Sequence, residues 1–223
     1  MFKPLYCYIT FVIILLCLPC QGLISMEAQS IKDFCCIPKR TKKGNKIASD
    51  PINIVIVGSE EAIHEVFTNA GWSVADKLTL SRKIRIALDC IFNLSYRRAP
   101  VSTLYYLNKP QDIAYQLQHG SPRRRHHVRF WKVWKQKPNE EVWAGAASFD
   151  SRIKFSSISK KFTHKISPDI DNERDMIVDI FQEYGFTSEM VNNFHIELLG
   201  TNGEGDYYYT DGKLALLQVL SHL

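Results

Sequence analysis

The sequence predicts a mixed α/β domain, a single domain whose mixed sheet is flanked by three or more helices. Three observations carry this. A largely β-branched run at residues 52–57 is bounded by Pro51 and Gly58 and passes straight into an amphipathic segment. Apolar residues recur at helical spacing again over residues 80–92 and 168–184. Residues 126–134 alternate with period two and face a second strand-like run, 142–149, across a polar break. With 223 residues and 45% hydrophobic content, the chain has material for one good-sized core.

The amino terminus comes first in chain order. Residues 1–22 open with Lys3, run through an apolar block and end at Pro19-Cys20-Gln21-Gly22, the layout of a signal peptide or of an uncleaved membrane anchor. The expectation is therefore an exported protein, periplasmic or held at the inner membrane by its leader. Removal of the leader leaves Cys35, Cys36 and Cys90. Either one of the neighbouring pair bridges to Cys90 or Cys90 is a buried thiol in a helix. No C-x-x-C spacing exists, and nothing in the spacing names a metal or a cofactor. Residues 23–48 form a basic, flexible lead-in to a domain spanning 49–223.

Within that domain, residues 52–57 read as a buried strand. Ser59 caps the next helix, Glu60 and Glu61 complement its positive end, and Gly71 stops it. Residues 80–92 predict a second helix, 103–107 a strand, 108–112 a turn, and 113–117 a further strand. Gly120-Ser121-Pro122 predicts a turn, with Arg123, Arg124 and Arg125 in a loop that enters the strand 126–134. That strand puts His127, Arg129 and Trp131 on one face and His126, Val128 and Phe130 on the other, so the two histidines do not serve one metal. Residues 142–149 form its partner, where the small residues Ala144 to Ala147 admit something bulky and Asp150 ends the strand. A strand over 161–166 carries His164. Ser167 and Pro168 then open a helix that ends before Gly185. Strands at 194–199 and 207–210 flank a flexible glycine turn, which lacks the helix that a phosphate loop requires.

Charge is unevenly spread. The net charge of +5 is modest, yet residues 113–139 hold no acid while 169–183 are mostly acidic. Guanidinium groups of Arg123, Arg124, Arg125 and Arg129, with His126, form a candidate site for an anionic ligand such as a phosphate or a lipid headgroup; the alternative is a solvated basic edge.

Seven segments also carry a family resemblance: Asp50-Pro51-Ile52-Asn53-Ile54-Val55-Ile56-Val57-Gly58-Ser59, Ala70-Gly71-Trp72, Ala99-Pro100-Val101-Ser102, Pro110-Gln111-Asp112, residues 121–131, residues 144–150, and Asp169-Ile170-Asp171-Asn172-Glu173-Arg174-Asp175. In this order they resemble the LssY C-terminal domain family, covering residues 50–187. The resemblance implies an envelope or secretion setting, since that family is named for a type I secretion component and occurs alone or fused to DedA and phosphatidic-acid-phosphatase-like membrane proteins. It implies no reaction.

Two functions from different classes follow. The first is a non-enzymatic accessory domain that binds an anionic group through the Arg/His segment, in association with an envelope membrane. The second is a phosphoesterase-like hydrolase in which His127, His164, Asp150, Asp171 and Asp175 act on a substrate clamped by the arginines. Nucleic acid ranks third, because export removes such targets. No feature of the sequence names a protein partner.

Overall fold

The computed structural model describes residues 37–44, 47–75, 101–137 and 140–219. The expected leader, Cys35, Cys36 and Cys90, and the helix predicted over 80–92 lie outside the described residues. Two helices and fourteen strands are described, so the domain is richer in sheet than its sequence predicts.

The strands at the amino-terminal end are β1 (Arg40–Lys43), β2 (Ile47–Pro51) and β3 (Ile54–Val57). Helix α1 (Glu60–Asn69) follows as predicted: the Ser59 hydroxyl accepts from the Ala62 N–H at 3.2 Å, and Ile63, Val66 and Phe67 are buried. Then come β4 (Ser73–Val74), β5 (Tyr105–Tyr106), β6 (Lys109–Pro110), β7 (Ile113–His119), β8 (Ser121–Lys137), β9 (Glu140–Ser156) and β10 (Lys161–Ile166). Helix α2 (Asp171–Glu183) leads to β11 (Phe186–Val191), β12 (Leu199–Thr201), β13 (Tyr207–Tyr209) and β14 (Leu214–Val219).

The main sheet is mixed, in the order β11-β14-β3-β9-β8-β7-β4 with β10 paired to β9. Among the described residues its one parallel pair is β14 with β3, at the register Leu216↔Val55. A second sheet, β2-β1-β5-β6, is antiparallel throughout. Alternation along the long strands separates two environments. Tyr115, Val128, Phe130, Trp143 and Ala147 point into an apolar core completed by Phe67 of α1 and Ile177 and Phe181 of α2. Phe67 stacks on Tyr115 with ring centroids 4.4 Å apart and meets Phe181 edge-on at 5.2 Å. The opposite face meets the second sheet. There Trp131 packs on Tyr106 at 5.8 Å and donates to the Lys109 carbonyl at 3.2 Å.

Several local expectations change. The β7–β8 turn needs only Gly120, at φ +70°, so Arg123, Arg124 and Arg125 belong to β8 and not to a loop. Likewise β9 continues through Asp150 to Ser156, because β10 pairs with it beyond the end of β8. Helix α2 starts at Asp171, not at Pro168. Its opening N–H groups, on Asp171 and Asn172, are taken by the Asp169 carboxylate at 3.1 and 3.4 Å, a cap read from neither Ser167 nor Pro168. Residues 194–198 are not a strand. The small residue in β9 that admits bulk is Gly145: a Cβ there would lie 2.6 Å from the Phe130 ring.

Candidate functional site

Arg125, His127 and Arg129 share one parity along β8, and Ser148 and Asp150 share one along β9. The register sets Arg125 against Asp150 and His127 against Ser148, so all five meet on the face that looks at the second sheet. From that sheet β2 contributes Ser49 and Asp50, and β10 contributes His164. Together they line a pocket of about 60 Å³, with Lys43, Ser102, Asn202 and Glu204.

Arg125 Nε donates to Asp150 Oδ2 at 2.8 Å, and its Nη1 donates to Gln116 Oε1 at 3.0 Å. Arg129 Nη1 donates to Asp50 Oδ2 at 3.2 Å, and its Nε to the Ser102 carbonyl at 3.1 Å. His127 Nε2 lies 2.9 Å from Ser148 Oγ. The Nδ1 atoms of His127 and His164 stand 3.6 and 3.5 Å from the same oxygen, Asp150 Oδ2. Both nitrogens are buried without a hydrogen-bond partner.

Burial dominates the protonation of this cluster. It pushes His127 down to about 3 against the pull of Asp150, so the ring is neutral near pH 7. His164 is lowered for the same first reason, again opposed by Asp150. Burial would raise Asp150, but His127, Arg125 and His164 together hold it well below the usual carboxylate range. Asp50 shifts upward through burial, only partly offset by Arg129. With both histidines neutral, the formal charges of Lys43, Arg125 and Arg129 balance those of Asp50, Asp150 and Glu204.

The remaining candidates lie elsewhere. Arg123 and Arg124 are exposed, and the Arg124 guanidinium sits 5.6 Å over the Phe149 ring. His126 points to the helix side, where Nδ1 meets Glu173 Oε2 at 2.9 Å and Nε2 lies 3.3 Å from His119 Nδ1. Alternation turns Arg124 and His126 away from Arg125, His127 and Arg129, whereas Arg123, which shares the parity of the inner set, is exposed beyond the register shift that separates Gln118↔Arg125 from His119↔Ser121. Asp171 and Asp175 hold the buried Arg174, at 3.1 and 2.7 Å, with Asp211 at 2.7 Å. Asp171 also accepts from the Thr210 hydroxyl at 2.8 Å. Neither carboxylate lines the pocket. Among the described residues, no group of three His, Cys, Asp or Glu side chains is arranged to hold a metal ion.

Residues 34–214 match the family described as LssY C-terminus. The chain belongs to the LssY C-terminus family. No curated protein and no solved structure matches it. Three of the segments on which the sequence resembles LssY C-terminal domains converge on this pocket: Asp50 from one, Arg125, His127 and Arg129 from the second, and Ser148 and Asp150 from the third. A fourth supplies Ser102.

Ser148, Asp50, Gln116 and Glu204 escaped the reading of individual residues. Parity was the signal available for Ser148, which is two residues from Asp150. For Asp50 and Glu204 there was none, because they reach the pocket through a different sheet and a distant loop. That loop is more than a flexible glycine turn. The Asn202 side chain accepts from the N–H groups of Glu204 and Asp206, each at 2.9 Å. The Glu204 carboxylate accepts from Ser156 at 2.5 Å, from Ser159 at 2.9 Å and from Lys43.

Proposed function

We propose that this LssY C-terminal domain binds a small anionic group, a phosphate or a carboxylate, in the pocket between its two sheets, and that binding takes up protons. The observation that carries the reading is the pair of buried, unpartnered Nδ1 atoms of His127 and His164, facing Asp150 beside Arg125 and Arg129. An unsatisfied buried nitrogen costs roughly 1–3 kcal/mol. Because the fixed charges of the pocket already balance, an entering anion adds an uncompensated negative charge. The imidazoles are the groups able to neutralise it by protonation. Arg125 and Arg129 are kept by Asp150 and Asp50 in fixed orientation, which spares the ligand the ordering of two long side chains.

The test is calorimetric titration of the full chain with inorganic phosphate and with acetate, at about pH 7.5 and about pH 5.5, in two buffers of different ionisation enthalpy. The expected result is tighter binding at the lower pH, with proton uptake seen as a buffer-dependent heat. His164→Gln, at the more open edge of the pocket, should reduce the proton uptake. Absence of binding at either pH, or binding without proton uptake, would refute the proposal.

A second reading has its own observation. Ser148 Oγ, His127 and Asp150 lie in series, so His127 could relay a proton as a general base in ester or phosphoester hydrolysis. Turnover of a nitrophenyl phosphate or ester, lost in His127→Gln, would establish it.

A further inference from the structure

We propose that the β9–β10 hairpin docks this domain on an anionic phospholipid surface. Beyond Asp150, β9 leaves β8 and pairs with β10 alone, through registers from Lys165↔Arg152 to Lys161↔Ser156. Residues 151–166 contain Arg152, Lys154, Lys160, Lys161 and Lys165 and no acidic residue. Lys154 is committed to Asp206 at 2.5 Å. The side chains of the other four make no ion pair among the described residues.

The end of this hairpin is apolar where a soluble surface would be polar. Phe162 is 79% exposed, Phe155 58% and Ile158 49%. Phe155 and Phe162 are direct cross-strand partners, their rings meeting edge-on at 5.6 Å, so the pair stands as one largely exposed unit among the described residues. Paired aromatics flanked by lysines on a surface element suit an interface where one side is hydrocarbon and the other is charged headgroup.

The base of the hairpin supplies a place for those headgroups. Arg152, Lys154 and Lys165 line a surface hollow of about 350 Å³ with Pro168, Gly205, Asp206 and the exposed Tyr207. Phe155 lies three residue steps beyond Arg152, which is about 10 Å along a strand. Tip-first entry of the aromatic pair by about 5–10 Å, the depth typical of interfacial elements, would bring this hollow to the phosphate level. Juxtamembrane lysines and arginines are drawn to acidic lipid in the same way. Among the described residues no helix is long and apolar enough to cross a membrane. The pocket between the sheets plays no part in this proposal.

The experiment is co-sedimentation of the full chain with vesicles of phosphatidylcholine and phosphatidylglycerol in about a three-to-one ratio, and with vesicles of phosphatidylcholine alone. Two exposed double variants are compared, Phe155→Ser with Phe162→Ser, and Lys160→Glu with Lys161→Glu. Circular dichroism and urea denaturation check that both remain folded. Expected are binding to the mixed vesicles that weakens with added salt, little binding to phosphatidylcholine, and at least about tenfold weaker binding for either variant. Variants that bind as the parent does would place attachment elsewhere in the chain and overturn the proposal. So would equal binding to both vesicles, or no binding at all. A change in self-association with unchanged vesicle binding would assign the patch to protein contact instead.

Discussion

Replacing His127 by Gln should make the domain less sensitive to acid. The amide of Gln can occupy the place of the imidazole Nε2 beside Ser148 but does not titrate. In the folded protein burial pushes His127 from its ordinary value near 6.5 down to about 3, so the folded state binds fewer protons than the unfolded chain between those limits. Stability from this group is therefore fully present above about pH 6.5 and is lost as pH falls towards 3. Each unit of that fall costs about 1.4 kcal/mol, so between about pH 7.5 and pH 5 the loss is roughly 2 kcal/mol. His164 and His195, also lowered by burial, act in the same direction. Asp50 and Glu173, raised by burial, act in the opposite one. The difference between parent and variant isolates His127 from all of these. Urea denaturation of both proteins at the two pH values measures it. Parent and variant losing the same stability, within about 0.3 kcal/mol, would refute the claim that His127 is buried and neutral.

Four more outcomes follow from the geometry. Asp150→Asn removes the buried carboxylate charge that Arg125 Nε meets at 2.8 Å, which costs about 3–5 kcal/mol and lowers the melting temperature by roughly 6–20 °C in calorimetry. Gly145→Ala sets a methyl against the Phe130 ring at 2.6 Å and should cost about 1–3 kcal/mol in urea denaturation. Asn53→Ala removes a buried amide that accepts from the Ala147 N–H at 2.9 Å and donates to its carbonyl at 3.1 Å. Stranding both groups destabilises the β3–β9 pairing by about 2–4 kcal/mol, again read from denaturant midpoints. By contrast Asp175→Ala, half-exposed and distant from the pocket, should cost under about 1 kcal/mol and leave phosphate affinity unchanged in calorimetry.

What the sequence determined by itself is the local grammar of the domain. Ser59 and the Ile63, Val66 and Phe67 stripe specify α1 because a cap and a 3.6-residue period act within one turn of chain. Period two in β8 likewise announced that His126 and His127 face apart, and the shared segments announced the LssY family. Extents were less legible: β9 outruns Asp150 because its second half pairs with β10, a condition no single strand carries. Only the tertiary structure decided which charges become a site. Register across β8 and β9 put Asp150 beside Arg125, and a second sheet laid Asp50 on Arg129, burying groups that the linear reading placed on the surface. The same packing left Arg123 and Arg124 outside and gave Asp171 and Asp175 to Arg174. Charge is a property of a residue, but its burial and partner depend on strands far away in sequence, and these set whether a histidine is charged and what it can bind.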